Sequence, residues 1–185
     1  MGFPKLLLSQ DGDLLIERMV TKLRETGWQP IGCVVSDEGL IEFITRWLPG
    51  IDYIVNPNPE RGMISSIRLG LEWAGDSAPG LLTWPVDHPL IEAETLGSIR
   101  SAASPERIVI PVHNGLNGHP TWWGISSWEL LRSSTADLGA RLVLGEPGVN
   151  IFELPVEDEG VLINLNTVED AAKYNVERFH VDGQR

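Results

Sequence analysis

"MISSIRLGLEWAGDSAPGLLTWPVDHPLIEAETLGSIRSA" (residues 63–102) sets the grammar of the chain. Its first part reads as a helix stopped at Gly75, "GLLTWP" as a short apolar strand, and "EAETLGSIRSA" as the next helix. Upstream, "GDLLIERMVTKLRETG" places Leu14, Leu15, Met19 and Leu23 near helical spacing, "IGCVVS" reads as a strand, "EGLIEFITRWLPG" as a helix and "DYIV" as a strand. Downstream, "RIVIP", "TWWG", "NIFELP" and "GVLIN" read as strands. "SSWELLRSS", "TADLGARLVLGE" and the closing "TVEDAAKYNVERF" read as helices, the last with Thr167 and Glu169–Asp170 suited to its first turn. Helices alternating with short strands predict an α/β fold, a mostly parallel sheet of about six or seven strands flanked by helices, with the ligand site at the carboxyl ends of the strands.

Composition narrows the function classes. The 185 residues form one expected domain, 1–185, with 14 Lys plus Arg against 26 Asp plus Glu, a net charge of −12. Such a surface repels a nucleic-acid backbone, so no nucleic-acid partner is expected, whereas a free nucleotide needs only a few local donors. The single cysteine, Cys33, lies in an apolar run and reads as a small buried hydrophobe, leaving no disulfide or thiolate metal site. No apolar run reaches the length of a membrane span and no signal-peptide pattern opens the chain, so the expected location is the cytoplasm, away from membranes.

Three places carry polar residues suited to chemistry. Asp87 leaves the strand "GLLTWP" in "WPVDHP", where its carboxylate either holds Mg²⁺ against nucleotide phosphates or caps the next helix. "PVHNGLNGHPTWWG" gathers Asn114, Gly118 and His119 after a strand; His113 and His119 match no zinc spacing, and the loop either binds a ligand or fixes a turn. Ser65 and Ser66 open a helix as either a solvent-facing pair or nucleotide ligands, and Asn164 and Asn166 alternate at a predicted strand end, where one can supply a neutral metal ligand. Trp122 and Trp123 read as packing residues, because no basic groove accompanies them. "VEDEG" reads as a solvated acidic turn.

In order, "MGFPKLLL", "NPNPERGMISSIRLGL", "LLTWPVDHPLI", "IVIPVHNGLNGHPTW", "LGARLVL" and "LINLNTVEDAAKY" resemble the molybdenum cofactor nucleotidyltransferases, a branch of the Rossmann-like nucleotide-diphospho-sugar transferase fold. The resemblance implies transfer of a nucleoside monophosphate from CTP, or GTP, to a molybdopterin-type acceptor with release of pyrophosphate, Mg²⁺ as cofactor, and a client molybdoenzyme as a further partner. It implies Lys5 as the cation on the triphosphate, Asp87 as metal ligand with Asn166 beside it, Ser65 and Ser66 in the nucleotide pocket, and Asn114, Gly118 and His119 on the acceptor side. In that family a first strand and a Gly-rich loop precede the Met-Gly-x-x-Lys segment that Met1, Gly2 and Lys5 match. The expectation is therefore a sheet lacking its first strand, from either a late start assignment or a degenerate relative, and weak activity from the chain as it stands. "STADLGAR" also departs from the family's Gly-Asp-x-Gly-Ala-Arg. A sugar phosphate or other small phosphate as acceptor, and a non-catalytic cofactor-binding role, stand as alternatives.

Overall fold

The computed structural model describes residues 4–134 and 140–179. In chain order run β1 (Leu8–Gln10), β2 (Asp13–Leu14), α1 (Leu15–Glu25), β3 (Gly32–Val35), α2 (Glu38–Ile44), β4 (Asp52–Val55), α3 (Met63–Ala74), β5 (Gly80–Thr83), α4 (Ala93–Ala102), β6 (Ile108–His113), β7 (Leu116–Asn117), β8 (Thr121–Gly124), α5 (Trp128–Ser133), α6 (Arg141–Gly145), β9 (Ile151–Pro155), α7 (Val168–Lys173) and β10 (Glu177–Arg178). The helices form where apolar residues recur on one face. α1 buries Leu15, Ile16, Met19 and Val20, and α3 buries Ile64, Ile67 and Leu71. α3 stops at Gly75, whose φ of 71° few side chains tolerate.

The expected α/β fold is present, with strand directions mixed. β3 and β4 pair in parallel, as do β6 and β9, whereas β8 runs antiparallel to both β5 and β6. The reason is the short connection from His113 to Thr121, far below the dozen or more residues that a parallel return needs. The sheet is flanked on both faces. Leu81, Ile108 and Ile110 pack with α3 and α5, while Leu82 and Val109 pack on the other face with Ile99 of α4. Trp122 and Trp123 are buried in β8, consistent with packing. Cys33 is buried too, and desolvation pushes its thiol up to about 11, which keeps it protonated and inert. Among the described residues no helix is long and apolar enough to cross a membrane.

Among the described residues, the β3–β4 pair and the β5–β8–β6–β9 sheet do not bond to each other. A cleft of about 860 Å³ lies between β3 and β5.

Several local readings are corrected. "GVLIN" is not a strand: residues Glu159–Leu162 form a 3-10 turn, because Gly160 lies buried against the Leu90 carbonyl and Asp158 caps the turn by accepting from the Gly160 N–H. The closing helix ends at Lys173, and Asn175 then takes a φ of 54° that sends Glu177–Arg178 alongside β1. Its start is as expected, since Thr167 and Asp170 form a capping box. α2 ends at Ile44, short of the predicted Pro49–Gly50 stop. Of "TADLGARLVLGE", Arg141–Gly145 is helical, while 135–139, including the departure at Ala136 and Asp137, lie outside the described residues.

Asp158 is also no mere solvated acid. Besides Gly160 N, its carboxylate accepts from Glu92 N and the Thr95 hydroxyl at 2.8 Å each, tying the 3-10 turn to the start of α4. Asp158→Ala is expected to lower stability by ~2 kcal/mol, since it strands donors that a charged acceptor now satisfies. A urea titration checks this as a lower midpoint with an unchanged slope.

Candidate active site

Asp87 stands four residues past β5, in a turn held by His88 N donating to Pro85 O at 3.0 Å and Trp84 Nε1 donating to His88 O at 2.7 Å. The Asp87 carbonyl accepts from Leu165 N at 2.8 Å, which docks the 164–166 segment beside it. Leu165 is fully buried, so its neighbour Asn166 is delivered to the carboxylate. Lys5 enters from a 3-10 turn, Lys5–Leu7, anchored by buried Leu6. Its ammonium donates to Asp87 Oδ2 at 2.9 Å and to Asn166 Oδ1 at 2.5 Å. Three residues far apart in sequence thus share one charge centre.

The second cluster lies at the start of α3. Asn56, 3% exposed at the end of β4, donates its amide to Ser65 Oγ at 2.8 Å and Ser66 Oγ at 3.0 Å, and its Oδ1 accepts from Asn58 N. The serines are therefore not a solvent-facing pair. Their hydroxyls are oriented by a buried amide, and Ser66 lines the same cleft as Lys5 and Asp87. Asn56 escaped sequence reasoning. The available signal was an Asn ending an apolar strand immediately before the turn-forming "PNP".

The residues expected on the acceptor side separate. Asn114 and Gly115, with φ of 50° and 78°, form the Asn-Gly turn of the β6–β7 hairpin, and Asn114 Nδ2 sits 3.0 Å from His113 Nε2. His113 Nδ1 lies 3.0 Å from Val156 O, so this histidine ties strands together. Gly118 is a packing requirement: a Cβ there would lie 2.7 Å from Val161. His119 N donates to Val161 O, and its ring meets His88 edge to face with centroids 4.5 Å apart. His88 adjoins Asp87, so His119 approaches the charge centre through it, whereas Asn114, Gly118 and His119 are not part of the cleft lining. Burial pushes the His88 pKa down against the pull of Asp87.

Divalent-metal fit follows from the donor set. Asp87 and Asn166 present two hard oxygens to one cation, the Lys5 ammonium, which occupies the kind of position that Mg²⁺ or Mn²⁺ takes between protein oxygens. Among the described residues no group of three or more His, Cys, Asp or Glu could hold a metal ion.

Comparison with known proteins now bears on this arrangement. The chain superposes on Rv0371c from Mycobacterium tuberculosis in complex with manganese, with TM-score 0.78 and 20% identity over 92% of this chain and 90% of that one. It also superposes on the molybdopterin-guanine dinucleotide biosynthesis protein A from Archaeoglobus fulgidus, TM-score 0.66 and 20% identity over 94% and 90% of the two chains. A third neighbour is a 4-diphosphocytidyl-2C-methyl-D-erythritol synthase, TM-score 0.71 and 14% identity over 93% of each chain. At such identities these likenesses show the fold alone. No curated protein matches the chain. The family model for the MobA-like NTP transferase domain matches residues 1–151, and over that span the chain belongs to the MobA-like NTP transferase domain family.

Proposed function

We propose that this protein is a cytoplasmic nucleotidyltransferase that moves a nucleoside monophosphate from CTP, or GTP, to the phosphate of a molybdopterin-type acceptor. The observation that carries the reading is the Lys5 ammonium held between Asp87 and Asn166 at the carboxyl end of β5. An acceptor phosphate oxygen attacks the α-phosphorus, the bond from that phosphorus to the bridging oxygen breaks, and pyrophosphate leaves with the bonding electrons. A divalent cation bound by Asp87 and Asn166 would neutralise phosphate oxygens. Lys5, released from Asp87, turns its charge to the triphosphate. Ser66, oriented by Asn56, faces the nucleotide along the cleft.

His119 stands on the acceptor side of this scheme, behind His88. His119→Ala is expected to raise the acceptor KM several-fold while leaving the NTP KM near its starting value. Steady-state kinetics with each substrate varied in turn checks it, and a change confined to the NTP constant reverses the placement. The proposal as a whole is tested by pyrophosphate release with CTP and GTP, Mg²⁺ or Mn²⁺, and a panel of molybdopterin, sugar phosphate and polyol phosphate acceptors. Release with sugar phosphate alone selects the other acceptor class. Nucleotide or molybdopterin binding without any release leaves a carrier.

A further inference from the structure

Residues 164–179 reach the charge centre from two sides. At their start, Leu165 N donates to Asp87 O and Asn166 Oδ1 accepts from the Lys5 ammonium. At their end, β10 lies antiparallel to β1, with Arg178 opposite Leu8 and Glu177 opposite Ser9, and Phe179 N donates to Leu7 O at 2.7 Å. Between the two ends, Leu165, Ala171 and Val176 are buried together with Leu8 and Leu15. One stretch of chain thus holds Lys5 twice, by its ammonium through Asn166 and by its backbone through Leu7.

The second hold depends on Phe179. β10 is two residues long and both of its side chains are exposed, so its pairing with β1 has little apolar cover of its own. Cover comes from the next residue. The Phe179 ring meets Trp47 edge-on with centroids 5.3 Å apart and Phe43 at 6.3 Å, and it packs on the cluster that buries Leu6, Ile44 and Leu48. Leu6 and Leu7 complete the 3-10 turn that begins at Lys5. A Phe179 backbone fixed by its ring therefore fixes the Leu7 carbonyl, two residues from Lys5. The bonds of the ammonium, at 2.9 and 2.5 Å, tolerate only small displacements of that turn. We propose that Phe179 is a positioning residue: seated on Phe43 and Trp47, it holds the Lys5 turn so that the ammonium, on leaving Asp87, meets the triphosphate. The inference rests on the proposed role of Lys5 in nucleotide binding. Phe43 of α2 and Trp47 beyond it belong to the same support.

The test is a double-mutant cycle between Phe179→Ala and Lys5→Ala, read as binding of CTP with Mg²⁺ by NMR titration, with thermal unfolding recorded for each chain. With Lys5 present, Phe179→Ala is expected to weaken binding about tenfold, the size of one charge-assisted bond made poorly. In the Lys5→Ala chain the same change is expected to alter binding by less than about twofold, because no ammonium is left to misplace. Phe179→Tyr keeps the ring and is expected to restore the starting affinity. Where alanine unfolds the chain, Phe179→Leu keeps the apolar cover without the ring contacts and is expected to weaken binding at least about threefold. Equal loss with and without Lys5 shows that Phe179 acts on the fold as a whole and overturns the proposal. Binding weakened by Lys5→Ala but by neither Phe179→Ala nor Phe179→Leu overturns the inference alone. Binding that Lys5→Ala leaves intact overturns the role of Lys5 on which the inference rests.

Discussion

Asp87→Asn is expected to lower nucleotidyl transfer by about two to three powers of ten. A full charge facing a cation at ~3 Å is worth roughly 5 kcal/mol at the effective dielectric of a half-exposed site, and the amide that replaces it recovers part of this. A net ~3–4 kcal/mol corresponds to that rate loss. Stability should move little. Lys5 and Asp87 are 29% and 23% exposed in their side chains, and ion pairs so placed are worth ~1 kcal/mol or less. The two readouts are therefore separable: pyrophosphate release at limiting Mg²⁺ for the chemistry, thermal unfolding for the fold. Unchanged turnover at limiting Mg²⁺ would remove Asp87 from the metal site and leave it as a partner that merely positions Lys5.

The second large effect concerns NTP binding by the chain as it stands. At the amino side of the site, the cation available to a triphosphate is Lys5, and its ammonium is engaged by Asp87 and Asn166. Released from them, it can donate to oxygens of the triphosphate. Each charge-assisted bond contributes ~1.5–3 kcal/mol, so two of them amount to ~3–6 kcal/mol, about two to four powers of ten in affinity. Calorimetry is expected to find that Lys5→Ala weakens binding of CTP and GTP with Mg²⁺ by a factor of that size. Equal and tight binding before and after the substitution would mean that the phosphates are held elsewhere, with the Asn56-oriented serines the first place to look.

Periodicity and punctuation in the sequence determined the main elements. The apolar stripe of α1, the Gly75 stop of α3 and the Thr167–Asp170 cap of α7 are local devices, each complete within a few residues, and each formed as its sequence dictates. The same locality put Asp87 just beyond a strand end. Three things were decided only by tertiary structure. Val161 and its neighbours carry a strand composition, yet Gly160 against Leu90 and the Asp158 cap fold them into a 3-10 turn. Ser65 and Ser66 look like indifferent surface residues until Asn56 arrives from the end of β4 to bond both. Lys5 and Asn166 are 161 residues apart in sequence. They meet because the backbone bond from Leu165 to Asp87 and the burial of Leu6 and Leu165 fix two distant segments on one strand end. Local propensity is written in neighbours along the chain; a charge centre assembled across the sheet depends on which buried side chains exclude water together, and that is settled only when the layers close.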